Sequence, residues 1–318
     1  MKLSECCELF LSYIADKSPN TIKNYSVDLK QFIKIVGDKE VELVSKSDVA
    51  KFRMVLQAQK KKSSTIARKL ATLNSLYQYL IDLELVKVSP ITKSHRPKIS
   101  QRIPSSLSNE EIKTLLKNID NLQDKAIVVL LLTTGLRSSE LLNIKKSNIL
   151  IERQGQTFSV DKALEEGLKE DDIAYIRVVG KGDKEREVPI TGRPLQILIE
   201  YLKEVNPYID SKTPIFPISY HTLWRKIKDI GKKIAISLHP HKLRHTAATV
   251  ALASGAELRV IQELLGHASP ITTARYAKVG QKQLLKATKA LSENIDLWGE
   301  KDGCFKHYFK GWRKKSVR

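Results

Sequence analysis

The sequence predicts a mainly α fold with a small antiparallel β element, divided into two domains, and three observations predict it. Apolar residues in about the first ninety positions recur at helical spacing. A basic stretch from Lys93 to Pro104 then contains Pro97 and Pro104 and shows no periodicity. Beyond it the pattern is again helical, interrupted by two strand-like runs around a glycine turn.

Each element follows from its residues. Ser18-Pro19-Asn20-Thr21 is a helix-start cluster, followed by Ile22, Tyr25, Leu29, Phe32 and Ile33 on one face. A second long segment begins at Ser63-Ser64-Thr65 and places Leu70, Leu73, Leu76, Tyr77 and Leu80 on its buried side. Its opposite side shows Arg68 and Lys69, just after the run that includes Lys61 and Lys62. These four cations are either a solvated helix face or a set of phosphate contacts, and the second reading makes binding fall steeply with salt. Ser89-Pro90 closes this block, so residues 1–92 form the first domain and 93–105 a linker. Ser108 and Glu111 make a capping box that opens the second domain, residues 106–298. Within it, Ile173 to Val179 reads as a strand, Gly180-Lys181-Gly182-Asp183-Lys184 as a turn, and Arg186 to Ile190 as the returning strand. Residues 299–318 form a tail in which Phe305, Tyr308, Phe309 and Trp312 alternate with basic residues.

Composition narrows the class of partner. Lys and Arg number 55 against 35 acidic residues, a net charge of +20 and a pI near 9.7. Such an excess attracts polyanions, of which nucleic acid is the commonest, with membrane surfaces and other acidic partners open on charge alone. The longest apolar run, Ala126 to Leu132, suits a buried helix and is too short to span a bilayer. Met1-Lys2-Leu3-Ser4-Glu5 has no secretory character. Cys6, Cys7 and Cys304 lack CxxC spacing, so neither a disulfide framework nor a zinc site is expected, and a cytoplasmic location is the default.

Four local patterns in the second domain carry chemistry. In Thr133-Thr134-Gly135-Leu136-Arg137-Ser138-Ser139-Glu140-Leu141 a glycine ends one apolar helix, and Arg137 and Glu140 open the next at a spacing that, taken alone, usually marks a surface ion pair. Lys181 stands between Gly180 and Gly182, a solvated turn lysine or one able to approach a ligand closely. His239-Pro240-His241-Lys242-Leu243-Arg244-His245 enters a helix with His241 and Arg244 on one face; HExxH is absent, so no metal site is expected. Leu264-Leu265-Gly266-His267 is followed nine positions later by Tyr276, which alone reads as a packing residue. Together the patterns supply what phosphodiester transesterification needs. Two arginines neutralise the non-bridging oxygens, a phenol attacks once a histidine removes its proton, and a lysine protonates the departing 5′-oxygen. A phosphotyrosine bond conserves the energy for rejoining, so no nucleotide or other cofactor is expected, and no GxxxxGK[ST] loop is present.

The order Arg137, Lys181, His241, Arg244, His267, Tyr276 resembles the catalytic set of the tyrosine recombinases. The wording TGLRSSELL, VVGKGDKEREVPI, HPHKLRHTAAT and LLGHASPITTARYA is similar to the Xer-type subgroup, and SPNTIKNYSVDLKQF and STIARKLATLNSLYQYL resemble that family's core-binding domain. The likeness covers roughly residues 5–295. It implies a two-domain DNA clamp, with a helical, SAM-like core-binding domain and an α+β catalytic domain. Arg137 and Arg244 would grip the scissile phosphate, and Lys181 would be the general acid. His241 would assist proton transfer, His267 would donate a further hydrogen bond, and Glu140 would support Arg137. Tyr276 would be the nucleophile, leaving a 3′-phosphotyrosine and a free 5′-hydroxyl. The resemblance also implies double-stranded DNA carrying a specific site, a homo-tetrameric synapse and a Holliday junction. Exchange of C-terminal helices is expected near Gln281 to Trp298.

Two features depart from the family pattern. Residues 151–172 are longer than a typical Xer-type connection and end in an acidic run, which places them away from DNA as a solvated loop or a contact to another protomer. The basic-aromatic tail is either a DNA or protomer contact or a disordered extension. A type IB topoisomerase and a non-catalytic DNA-binding protein compete with the recombinase reading. Within that reading, resolution of chromosome or plasmid dimers competes with mobile-element integration. Core-binding helices that start almost at Met1 leave no room for an arm-binding domain, which favours the two-domain type.

Overall fold

The computed structural model describes residues 1–97, 106–180, 184–205, 207–266 and 281–294. The chain divides into two compact units, Met1–Arg102 and Ile103–Arg318.

The N-terminal unit is helical. It contains α1 (Leu3–Tyr13), α2 (Pro19–Val36), α3 (Lys46–Ala58) and α4 (Ser63–Asp82). Ser18 accepts the Thr21 N–H at 3.3 Å and Pro19 occupies the first turn of α2, where a missing N–H costs nothing. Ser45 and Asp48 exchange backbone hydrogen bonds at 3.3 and 2.8 Å, a capping box that starts α3. Leu29 and Phe32 of α2, Phe52 and Leu56 of α3, and Leu73 and Leu76 of α4 form the core. Phe32 meets Phe52 edge-on at 5.1 Å, and burying each such ring contributes about 1.5–3 kcal/mol.

One expectation for this unit is corrected. The basic side of α4 is not all surface: Lys69 is only 6% exposed, because its Nζ lies 2.6 Å from the Asp28 carboxylate inside the unit. Arg68 holds the same carboxylate with both Nη groups, at 2.5 and 2.9 Å, and Thr72 donates to it at 3.0 Å. Lys69 is thereby a core cation rather than a phosphate contact. Of the expected linker 93–105, residues 93–97 are described. Lys93–His95 forms a single 3-10 turn, His95 is buried, and its Nδ1 accepts the Thr92 N–H at 3.1 Å.

The C-terminal unit begins with α5 (Asn109–Lys117), α6 (Leu122–Thr134) and α7 (Ser138–Leu142). There follow β1 (Ile149–Arg153), β2 (Gln156–Ser159), α8 (Val160–Glu166), β3 (Ile173–Val179) and β4 (Glu185–Thr191). The helices α9 (Gly192–Glu204), α10 (Tyr220–Lys233), α11 (Pro240–Ala253), α12 (Leu258–Leu265) and α13 (Gln281–Asn294) complete it. The run expected to be a buried helix is the middle of α6, where every residue from Ala126 to Thr134 is buried. It packs against α9 and α11.

The sheet has four antiparallel strands in the order β2-β1-β3-β4, with Ile176 opposite Val188 and Ile151 opposite Ala174. The sequence led us to expect only β3 and β4. The additional pair corrects the reading of residues 151–172 as a solvated loop. Gln154 and Gly155 both adopt positive φ, 52° and 79°, the conformation of a tight two-residue hairpin turn. The acidic run is folded too. Asp172 is buried and accepts from Arg153 Nε at 2.7 Å, while Arg153 also donates to the Gly167 carbonyl at 2.8 Å.

Candidate active site

The site is built where α6 hands over to α7. Gly135 closes α6 in the left-handed conformation, φ 60°, which a side chain would resist. Arg137 is the N-cap of α7 and Glu140 its third residue, so the Glu140 carboxylate folds back to accept the Arg137 backbone N–H at 2.7 Å. Local helix geometry therefore sets the Glu140 carboxylate beside Arg137, whose Nη1 donates to it at 2.8 Å.

Two further arginines arrive from distant elements. Arg244, from the second turn of α11, is 8% exposed; its Nη1 donates to the Gly135 carbonyl and its Nη2 to the Leu265 carbonyl at 2.6 Å. Arg186, from β4, donates to both Glu140 oxygens at 2.8 Å and through Nε to the Leu264 carbonyl at 3.1 Å. Arg137 Nη2 takes the Gly266 carbonyl at 2.6 Å. Three consecutive carbonyls at the end of α12 are thus each held by a different arginine. These are the oxygens a helix C-terminus leaves unpaired, and its dipole favours cations there.

The electrostatics follow from this count. Three guanidiniums face one carboxylate, a surplus of two positive charges. Burial alone would raise the Glu140 carboxyl. The hydrogen bonds from Arg186, then that from the Arg137 backbone, outweigh it and bring the carboxyl down to about 2. Burial, and then the neighbouring charge of Arg137, push the Arg244 guanidinium down to about 10, still protonated at neutral pH. A buried cation that repels its neighbours gains from an arriving anion, and paired arginines suit the oxygens of a phosphate. Arg137, with a side chain 30% exposed, is the open member of the cluster.

Of the residues expected from the sequence, the structure brings together Arg137, Glu140 and Arg244. His241 is exposed on α11, one turn before Arg244. His239 caps that helix, its Nδ1 accepting the Lys242 N–H at 3.1 Å, and burial lowers its pKa. Lys181, His267 and Tyr276 lie outside the described residues, as does the tail 299–318. Among the described residues, no three His, Cys, Asp or Glu side chains converge to hold a metal ion, and no helix is long and apolar enough to cross a membrane.

Two features escaped the sequence reading. Arg186 shares its strand face with Val188 and Ile190, which are both buried. A charge at an inward register position was the available signal. The second is the exposed face of α10, where Lys228 sits 5.1 Å over the Trp224 ring. Trp224, Lys228, Lys232 and His239 border a cavity of about 420 Å³ there.

Comparison with known proteins places this arrangement. Residues 105–283 match the phage integrase family, and residues 7–83 match the phage integrase N-terminal SAM-like domain. The chain belongs to the phage integrase family. It is a tyrosine recombinase, of the class that cleaves and rejoins DNA through a tyrosine intermediate. Among its relatives is the tyrosine recombinase XerC of Staphylococcus aureus, 33% identical over 286 residues, covering 85% of this chain and 89% of that protein. The XerC of Staphylococcus saprophyticus is 31% identical over 285 residues, covering 85% and 90%. The fold is similar to that of XerH bound to a palindromic difH substrate, with a TM-score of 0.65 and 18% identity over 96% of this chain and 83% of that one. A lambda integrase tetramer bound to a Holliday junction aligns with a TM-score of 0.64 and 16% identity, over 88% of this chain and 80% of that one.

Proposed function

We propose that this tyrosine recombinase acts at a specific double-stranded DNA site through Tyr276, in Xer-like resolution of chromosome or plasmid dimers. The observation that carries the reading is the convergence of Arg137, from the start of α7, and Arg244, from α11, around buried Glu140 with a surplus of positive charge. In the proposed step the Tyr276 oxygen attacks the scissile phosphorus and its proton leaves with help from His241. An O–P bond forms to the tyrosine, the bond from phosphorus to the 5′-oxygen breaks, and Lys181 protonates that oxygen. Arg137, Arg244 and His267 hold the non-bridging oxygens as charge builds on them. Attack by a 5′-hydroxyl on the phosphotyrosine reverses the step and rejoins a strand, so the reaction needs no cofactor.

Around this centre, residues 1–92 and 106–298 each contact DNA and are joined through 93–105. Lys61, Lys62 and the exposed edge of Arg68 supply phosphate contacts from the first, and the basic-aromatic face of α10 supplies them from the second. Four protomers form the synapse, exchange C-terminal helices near residues 281–298, and pass through a Holliday junction. Such an enzyme works in the cytoplasm, on the nucleoid. The kinship with XerC proteins supports dimer resolution over integration of a mobile element.

The test is a nicked suicide duplex carrying the site that the protein itself selects from a random-sequence library. A covalent protein–DNA species is expected, and it disappears in Tyr276→Phe. Its absence from the unsubstituted protein, or its persistence in the variant, overturns the reading. Relaxation of supercoiled DNA without site preference would point instead to topoisomerase chemistry.

A further inference from the structure

Arg186 has no part in the chemistry above, yet it commits more of its guanidinium to the cluster than either of its neighbours. Nη1 and Nη2 each donate to a different Glu140 oxygen at 2.8 Å, and Nε donates to the Leu264 carbonyl at 3.1 Å. All three contacts point inward, and the side chain is 13% exposed. The packing leaves little slack. A Cβ added at Gly266, whose φ is 62°, would stand 2.7 Å from Arg186 Nη1 and 2.9 Å from its Cζ.

We propose that Arg186 is a positioning residue for DNA cleavage: it takes up the charge of Glu140 so that Arg137 keeps its own for the scissile phosphate, and it ties the end of α12 to β4. The inference rests on the reading of Arg137 and Arg244 as the phosphate-holding arginines.

Glu140 accepts four hydrogen bonds, two from Arg137 and two from Arg186, which fills the acceptor capacity of a carboxylate. With Arg186 present, one full cation balances the carboxylate and two remain to meet an anion. Without it, Arg137 is the only cation on a carboxylate 4% exposed, and their attraction strengthens in the drier surroundings. Arg137 then serves as Glu140's counter-ion, and the surplus facing a phosphate falls from two charges to one. The Leu264 carbonyl also loses the donor that ties it to β4. In the sequence Leu264 lies three residues before His267 and Arg186 five residues after Lys181, so the one side chain that joins β4 to the end of α12 is close along the chain to both expected catalytic residues.

Because Arg186 touches no substrate in this scheme, its effect must appear in the chemical step and not in DNA binding. Single-turnover formation of the covalent species on the nicked duplex, with full-length protein in excess, separates the two. Arg186→Gln is expected to slow that step about 100-fold, comparable to losing one donor to a developing oxyanion. Affinity for the same duplex should stay within about threefold, since no phosphate contact is removed. Arg186→Lys, which keeps the charge but cannot span both carboxylate oxygens and the carbonyl, is expected to recover at least about tenfold of the loss. The double variant Glu140→Gln, Arg186→Gln should be no slower than the slower single variant, because the two residues act as one unit.

Undiminished cleavage by Arg186→Gln overturns the inference, as do losses that add in the double variant. So does Arg186→Met cleaving as well as Arg186→Lys, which would make packing rather than charge the cause. Should Arg186→Gln fail to fold, the contrast between the lysine and methionine variants decides. Absence of any covalent species from the unsubstituted protein removes the recombinase reading itself; its presence with an unimpaired Arg186→Gln removes this inference alone.

Discussion

Asp28 in the N-terminal unit and Glu140 in the C-terminal unit are the same device put to different ends. Each is a carboxylate almost without exposure, 1% and 4%, held by two cationic side chains. Around Asp28 the cations come from α4 and the carboxylate from α2, and Thr72 fills the remaining place. Lys69 is sealed in with it, so this centre welds two helices and has nothing inward left to offer a ligand. Around Glu140 a third guanidinium, Arg244, is packed alongside, and Arg137 opens towards solvent. What separates a weld from an anion site is therefore the count of charges, a surplus of one at Asp28 against two at Glu140, and not the ion pair itself or an exposed cation, since Arg68 at Asp28 is more exposed than Arg137.

The largest expected effect breaks the weld. Asp28→Asn leaves Lys69 as a buried charge without a counter-ion, and removing one partner of a buried pair costs about 3–5 kcal/mol. Denaturant unfolding of the full chain should show that loss; a change below about 1 kcal/mol would mean that Asp28 holds nothing together. Arg137→Ala tests the other centre. Glu140 keeps Arg186 as its partner, so stability changes little, while covalent-complex formation falls about 100- to 1,000-fold. A variant that melts early but cleaves normally would make Glu140 a second weld.

A third prediction uses pH. The Glu140 carboxyl lies at about 2 in the folded protein against an ordinary 4.5, so its contribution to stability is complete above about pH 5 and is lost as pH falls through 2. That contribution is of order 3 kcal/mol at neutral pH. The stability gap between the unsubstituted protein and Glu140→Gln should therefore be widest near neutrality and shrink steadily below about pH 4.5. A gap that does not vary between about pH 6 and pH 3 would show that charge at Glu140 contributes nothing.

How far the sequence reveals these centres depends on distance along the chain. The Arg137–Glu140 contact was legible because both residues sit in one helix start, where N-cap geometry brings the third side chain back. The mainly helical architecture was legible from apolar spacing, as in α2, α4 and α6. The weld at Asp28 was not, because its partners lie 40 and 41 residues away and a helical Asp or Lys gives no hint of burial. Arg186 lies 46 residues from Glu140, and only its inward register position marks it. The additional strands β1 and β2 are five and four residues long, too short for alternation to stand out, although the positive-φ turn at Gln154-Gly155 did leave a glycine as its trace.

The smallest expected effect sharpens the comparison within the N-terminal unit, where cations on one stretch of chain divide between weld and surface. Lys61 and Lys62 are exposed just before α4, whereas Lys69, two turns into it, is spent on Asp28. If the first two meet phosphates, each neutral replacement reduces the dependence of log affinity on log salt by about 1, weakens binding to all sequences alike, and leaves folding untouched. Lys69→Met should do the reverse: the salt dependence of the folded protein stays as it was, and the loss appears in the unfolding midpoint. Titrating one labelled duplex at several salt concentrations with both variants separates the roles. A reduced salt slope for Lys69→Met would mean that its ammonium reaches DNA after all, which its distance of 2.6 Å from a buried carboxylate argues against.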